Sequence, residues 1–367
     1  MKKQILVATM VFWGINMVAQ PTHPDLVYTH RVKSSSIEDQ GQTGTCWSFG
    51  VAAFVESLFL QNNKTAPNLS EMWWVRNVYL EKANNYILRQ GKAPFSEGAM
   101  VHDGLSVLNK YGAMPEEFYT GNPDEYHDHA LLYKSLRQYV DSVLQLPRPI
   151  SADWKKGYAA ILDKHLGTPP TEFEYKGVNY TPLTFSRQYL GWNKEKAICV
   201  TSFTHQPYHK EYQLEVADRF SDARGYNVPL VDYLALIDNC IQAGYALIID
   251  TDVSNDGFDW RRGFAMLKPK EADAKWCVGA AEPEGGYSPE QRQLAFETMS
   301  MQDDHTILLI GRVENSKGDV FYCLKNSWGD TNYLHGYIFV SRAYLAQHSF
   351  SVIIPREILS AYLSKTH

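Results

Sequence analysis

Gln40-Gly41-Gln42-Thr43-Gly44-Thr45-Cys46-Trp47-Ser48-Phe49 joins a polar, glycine-bearing loop to a long apolar segment, Trp47 to Leu60, that reads as a buried helix. Cys46 therefore stands at a helix N-terminus. First-turn N–H groups and the helix dipole favour an anion there, so the thiolate is expected to be stabilised and the sulfur to be nucleophilic near neutral pH. A lone cysteine is more often a small core residue, but a core residue does not need a polar loop to deliver it.

Two later stretches carry the partners that a nucleophilic sulfur requires. Gln302-Asp303-Asp304-His305 opens an apolar strand and so brings an imidazole to a strand's edge. There it can take the proton of Cys46 and return it to a leaving amine. Lys325-Asn326-Ser327-Trp328-Gly329 offers the Asn326 amide to fix the tautomer and orientation of His305. Its indole, Trp328, can keep water from that bond. Gln40 lies six residues before Cys46. With the Cys46 N–H it forms a candidate oxyanion hole, in which each donor contributes about 3–4 kcal/mol in comparable sites.

In this order the four positions resemble the signature of the papain-like cysteine peptidases: glutamine six before the nucleophile, tryptophan after it, and Asn-Ser-Trp-Gly at the asparagine. Leu69-Ser70-Glu71 at the start of the next helix adds to the likeness. Thr43 stands where secreted members often carry a second cysteine, so the disulfide made there is absent. His305 follows Cys46 by 259 residues, against about 130–150 in typical members. The family's paired glycines that contact the substrate backbone are here Gly98 and Ala99. The resemblance makes Gly98 a substrate-backbone contact, expects the Ala99 methyl to narrow the cleft, and counts Trp328 with Gly98 among the substrate-binding residues.

Working outward, Ser70 is a candidate N-cap for a second helix through Trp74 toward Ile87, and Val101 to Tyr111 reads as an amphipathic helix stopped by Gly112. Residues 115–225 form a long polar and aromatic insertion, helical over Leu131–Val143 and Trp154–His165. From Pro229 onward the pattern changes. Leu230–Ala243 reads as a helix, and short strands follow at Tyr245–Asp250, His305–Gly311, Val320–Lys325, Gly336–Ser341 and Phe350–Ile354. The fold class is thus α+β: a two-lobed, papain-like body with a helical lobe, an antiparallel β lobe and a large, mainly helical insertion. Its divisions fall at 1–20, 21–114, 115–225 and 226–367. Lys110-Tyr111-Gly112-Ala113-Met114-Pro115 and Lys196-Ala197-Ile198-Cys199-Val200 resemble the bleomycin hydrolase and bacterial aminopeptidase C branch.

Of 367 residues, 44% are hydrophobic and 21% charged, ordinary for a globular chain, and the formal charge of −6 gives no reason to expect nucleic acid as a partner. Lys2 and Lys3 precede an apolar run, Ile5 to Val18, that ends at Ala19-Gln20. This reads as a signal peptide rather than a stable membrane anchor, and implies an exported protein, periplasmic or extracellular. The five cysteines are Cys46, Cys199, Cys240, Cys277 and Cys323, with no Cys-x-x-Cys. An odd count leaves a free thiol, and zinc is not expected. Asp252-Val253-Ser254-Asn255-Asp256-Gly257 begins like a calcium loop, but Gly263 stands where the bidentate acid belongs. His127-Asp128-His129 reads as a solvated helix start.

The sequence reads as a thiol peptidase acting on peptides through a thioester on Cys46, with no metal or cofactor. The resemblance points to an aminopeptidase. In that branch a C-terminal arm enters the cleft, its carboxylate meets the substrate amine, and six subunits enclose the sites. Here only Arg356–His367 follow the last strand, so arm and homo-oligomer are left open. Endopeptidase or dipeptidyl-type cleavage is the alternative within the class. A non-catalytic peptide-binding scaffold and acyl transfer to an amine are the alternatives outside it.

Overall fold

The computed structural model describes residues 21–63, 65–121, 127–267 and 286–366. The leader-like segment 1–20 and Cys277 lie outside them. Helix α1 (Cys46–Asn62) is buried on nearly every side, with Trp47, Val51 and Phe54 fully enclosed. A helix apolar all round must lie between two layers. On one side it meets α2 (Glu71–Leu88) and α3 (Val101–Tyr111), and on the other the main sheet. The Ser70 hydroxyl caps α2, accepting from the Trp73 N–H at 3.1 Å. Gly112 ends α3 at φ 72°, a left-handed conformation that suits glycine. There a Cβ would lie 2.2 Å from the Pro182 carbonyl oxygen.

The sheet is assembled from distant parts of the chain. Its strands are β1 (Leu26–Arg31), β4 (Ala197–Thr201), β5 (Glu211–Tyr212), β6 (Gly225–Asn227), β7 (Leu247–Thr251), β8 (Phe258–Asp259), β9 (Phe264–Ala265), β10 (His305–Asn315), β11 (Val320–Lys325), β12 (Tyr337–Ser341) and β13 (Ser349–Pro355). Their order is β5-β6-β4-β13-β7-β10-β11-β12-β9-β8, with β1 also on β10. Pairings are antiparallel except β4 with β6 and β9 with β12. Helix α7 (Leu230–Gln242) packs against the same sheet through Leu234, Ile237 and Ile241.

Residues 115–225 divide between the two layers. Helices α4 (Ala130–Leu144) and α5 (Trp154–Leu166) pack on α2. The β2 (Phe173–Tyr175) and β3 (Val178–Tyr180) hairpin closes over Phe185 beside a single turn, α6 (Pro182–Thr184). Strands β4 and β5 widen the main sheet instead, because Ala197–Thr201 is apolar on both faces and buried throughout. His129 also departs from the solvated start expected for α4. It is 2% exposed and meets the Tyr79 hydroxyl at 3.1 Å, while Asp128 accepts from the Ala130 N–H at 2.9 Å.

Two short helices complete the β layer, α8 (Pro289–Glu297) and α9 (Arg342–His348). Strand β13 then starts level with the catalytic-motif histidine, since Ser349 and His305 both pair with Thr251. It ends six residues later, about 20 Å along the sheet, where Pro355 pairs with Ala197. The final helix, α10 (Arg356–Thr366), folds back at that far end, and the Tyr245 hydroxyl donates to Glu357 at 2.5 Å. Among the described residues no helix is long and apolar enough to cross a membrane.

Gly50 sets the distance between the layers. A Cβ there would stand 2.7 Å from Thr306 Cγ2 and 3.2 Å from Ile248 Cγ2. Thr306 cannot turn away easily, because its hydroxyl donates to Asp250 at 2.8 Å. Gly50→Ala is therefore expected to destabilise by about 1–3 kcal/mol through overpacking, although alanine favours a helix by about 1 kcal/mol. Urea unfolding of the two proteins tests this, and an equal or higher midpoint in the variant would contradict it.

Candidate active site

Three elements converge at the upper end of β10. Cys46 is the first residue of α1 and is half-buried. His305 opens β10 and is 4% exposed. Asn326 follows the last residue of β11, which is antiparallel to β10, so the chain's return brings the amide to the imidazole. His305 Nε2 and Asn326 Oδ1 are 2.6 Å apart.

The same carboxamide oxygen meets the backbone N–H of Ser327 at 2.8 Å. That N–H can only donate, so the atom it meets is oxygen, and His305 Nε2 must carry the proton it shares with Asn326. The Nδ1 lone pair is then free to act as a base. Trp328 lies over the imidazole with ring centres 4.6 Å apart and is buttressed edge-on by Trp260 at 5.0 Å. An indole there keeps water from the His305–Asn326 bond, which strengthens it.

The loop before Cys46 is tied to the loop after Asn326. The Gln40 N–H donates to the Ser327 carbonyl at 2.9 Å, and the Gly329 N–H to the Glu38 carbonyl at 3.1 Å. The Ser327 hydroxyl donates to Gln40 Oε1 at 2.7 Å, which orients the amide. Gln40 Nε2 donates one hydrogen to the Thr43 carbonyl at 2.7 Å. Its second hydrogen remains, and the Cys46 N–H, at a helix start, has no intrahelical acceptor. Two donors of the kind an oxyanion needs are thus held in one loop.

Sulfur and imidazole do not ionise as the helix end alone suggests. Burial pushes the Cys46 thiol up to about 12, with the Asp250 and Asp303 carboxyls adding to it, against backbone N–H donation from Thr306 and Trp47. Loss of water around the sulfur thus opposes the thiolate that the helix start is expected to stabilise. Burial likewise pulls His305 down to about 4, opposed by its bond to Asn326. Neither charge is tolerated singly. The sulfur meets the backbone N–H of Thr306, next to His305, so a proton passed between the two side chains would make both charges together, and their mutual attraction would offset the missing water.

Gly98 lies on the cleft wall but is not open. The Trp47 indole N–H donates to the Glu97 carbonyl at 3.2 Å, and the Gly44 N–H to the Glu97 carboxylate at 2.8 Å, so segment 96–98 runs beside the nucleophile loop. The Gly98 carbonyl accepts from Lys82, which also donates to the Ser96 carbonyl and hydroxyl at 3.0 and 3.1 Å. Of the two backbone groups that Gly98 could offer a substrate, the carbonyl is thus already bound from within. Ala99 is 8% exposed and packs in the core rather than narrowing the cleft.

Sequence reasoning misses the charges behind the site. Lys325 is buried and donates to the Ser35 hydroxyl at 2.9 Å. Burial lowers its affinity for a proton, while Glu56, on α1, counteracts this. Glu56 itself accepts from the Leu69 N–H at 2.8 Å. Lys325, Glu56, Glu71 and Asn326 line a cavity of about 10 Å³, roughly the space for one water. A glutamate inside an otherwise apolar helix was the signal available in the sequence. The Asp252–Gly257 turn is closed by its own bonds, Asp252 accepting from the Ser254 N–H at 3.0 Å and Asn255 Nδ2 at 3.1 Å. Among the described residues no group of side chains forms a metal site.

A model of the Peptidase C1-like family matches residues 86–367. Aminopeptidase C of Streptococcus thermophilus is 21% identical, over 92% of this chain and 84% of that protein. Aminopeptidase C of Lactobacillus delbrueckii subsp. lactis is 22% identical, over 96% and 88%. The crystal structure of PepW from Lactobacillus rhamnosis HN001 is similar with a TM-score of 0.72 at 20% identity, over 92% of this chain and 84% of that one. The chain belongs to the Peptidase C1-like family, and its fold is papain-like.

With His305 near 4, the base is neutral across the physiological range. The acid limb of kcat/KM is expected near pH 4, with a plateau from about pH 5 to 8; a limb at 6.5, the unperturbed imidazole value, would contradict the geometry. Because the bond to Asn326 supports the charged ring, Asn326→Ala is expected to move the acid limb lower still. It should also cut kcat on the order of 100-fold.

Proposed function

We propose that this member of the Peptidase C1-like family is a thiol aminopeptidase. The His305–Asn326 bond of 2.6 Å beside the first residue of α1 carries the reading. His305 Nδ1 takes the Cys46 proton as the sulfur attacks a peptide carbonyl. The carbonyl oxygen, now an anion, is met by the Cys46 N–H and the Gln40 amide. Collapse expels the amine, protonated by His305, and leaves a thioester; water, deprotonated by the same nitrogen, then releases the acyl group. The proton taken from Cys46 leaves on the amine and one from water replaces it on the sulfur, so the enzyme is regenerated and no cofactor is required.

Cleavage from the amino end is favoured by the names of the relatives and by the covered face of Gly98. Free-amine aminoacyl fluorogenic substrates are expected to be cleaved, and their N-acetyl counterparts at most a hundredth as well. Comparable cleavage of blocked peptides would favour the endopeptidase reading. Failure of Cys46 to alkylate at neutral pH while Cys240 or Cys277 reacts, with no turnover of either set, would favour a peptide-binding scaffold.

We also infer export, supported by Lys2, Lys3 and the apolar run to Val18. The mature protein is then expected to begin at Gln20 or Pro21 in an extracytoplasmic fraction. N-terminal mass spectrometry of the native protein tests this; an intact Met1 or Lys2 end in the cytoplasm would overturn it.

A further inference from the structure

An aminopeptidase must do two things that a general thiol peptidase does not: stop the acyl side of the cleft after one residue, and hold a free ammonium there. Among the described residues, the bonds that hold helix α10 run from Tyr245 at its start to Asp232 of α7, and none is to Cys46, His305 or segment 96–98. Another segment occupies the ground beside the nucleophile. Residues 216–221 of the insertion lie across segment 96–98, and Asp218 faces Gly98 so closely that a Cβ there would sit 2.1 Å from its Oδ2. Asp218 Oδ1 accepts from the Ser96 hydroxyl at 2.8 Å. Oδ2 has no hydrogen-bond partner among the described residues.

Two further observations make this position more than a neighbouring acid. The Gly98 carbonyl, which a second substrate residue would need for backbone pairing, is bound by the fully buried Lys82. The loop carrying Asp218 is also pinned from below, as Asp103 Oδ1 accepts from the Ser221 N–H at 3.0 Å and Oδ2 from the Phe220 N–H at 3.4 Å. Gly44 and Trp47 are bound to Glu97, so an acyl group that followed this wall from Cys46 would bring its next residue to the Asp218 carboxylate beside Gly98. Asp303, two residues before His305, lies between the two in charge terms, acting on Cys46 and acted on by Asp218.

Resting on the aminopeptidase reading, we propose that Asp218 is the specificity-determining residue. Its carboxylate stands in the place of a second substrate residue, limits the acyl side to one residue and receives that residue's free α-ammonium. A charge-assisted bond to a carboxylate is about twice as strong as a neutral one. Lys82 and Arg219 are the nearby cations. Lys82 spends its three donors on Ser96 and Gly98, and Arg219 turns a donor to the Ser221 carbonyl at 3.1 Å, so Oδ2 is left for the ligand.

The test compares wild type, Asp218→Asn and Asp218→Gly on three coumarin amides: aminoacyl, N-acetyl-aminoacyl and N-acetyl-dipeptidyl. Iodoacetamide alkylation of Cys46 and the thermal midpoint report whether each variant is folded. Asp218→Asn keeps the shape and is expected to lower the ratio of kcat/KM for the free amine over its N-acetyl form by about 30-fold. Asp218→Gly removes the obstruction and is expected to raise N-acetyl-dipeptidyl cleavage at least tenfold over wild type. If wild type demands a free amine while both folded variants keep its ratios, the assignment of Asp218 is overturned and the aminopeptidase reading stands. If wild type already cleaves the N-acetyl-dipeptidyl amide well, both fall.

Discussion

Helix α1 brings Cys46 to the backbone of Thr306, beside His305, with nothing larger than hydrogen standing at position 50. The helix and β10 come from opposite ends of the chain and share no covalent constraint that would set their spacing. What sets it is contact between Gly50 and the Thr306 methyl, with Thr306 itself anchored to Asp250. A separation larger by one methyl would take the sulfur off the backbone N–H of Thr306, the residue next to the His305 imidazole. The loop-to-loop bonds between residues 38–40 and 327–329 fix the remaining freedom, so the amide side chains of Gln40 and Asn326 share one scaffold.

The dryness of this junction governs its chemistry. Where water is scarce, a lone thiolate or a lone imidazolium is costly, and the reacting proton has nowhere to go except between the two groups. The buried Lys325 and Glu56 obey the same constraint on the far side of Asn326. Each is tolerable because the other is near, and deleting one would strand its partner. The site is thus backed by a buried lysine and glutamate that offset each other in part.

Much of this was legible in the sequence. Helices α1 to α5 and strands β10 to β13 follow from apolar periodicity, the Ser70 cap and the Gly112 stop, and the order Gln40, Cys46, His305, Asn326 fixed the family's pattern before any geometry. What escaped was set by tertiary placement. Apolar Ala197–Thr201 could have been a core strand of any sheet, and only pairing with β13 brings it into this one. Asp218 carried no local signal, because its importance depends on a loop about 170 residues after Cys46 folding back over Gly98. The burial of the thiol escaped for a related reason: helix position can be read from sequence, whereas crowding around a sulfur cannot.

The course of α10 bears on handling of the protein. The helix starts at the end of the sheet away from His305, where the Tyr245 hydroxyl donates to Glu357, and runs back along α7, where the Tyr362 hydroxyl donates to Asp232 at 2.7 Å. A tether fused after it therefore leaves the chain beside the first turn of α7, and shortening the chain before Tyr362 strips the bond that seats the helix there.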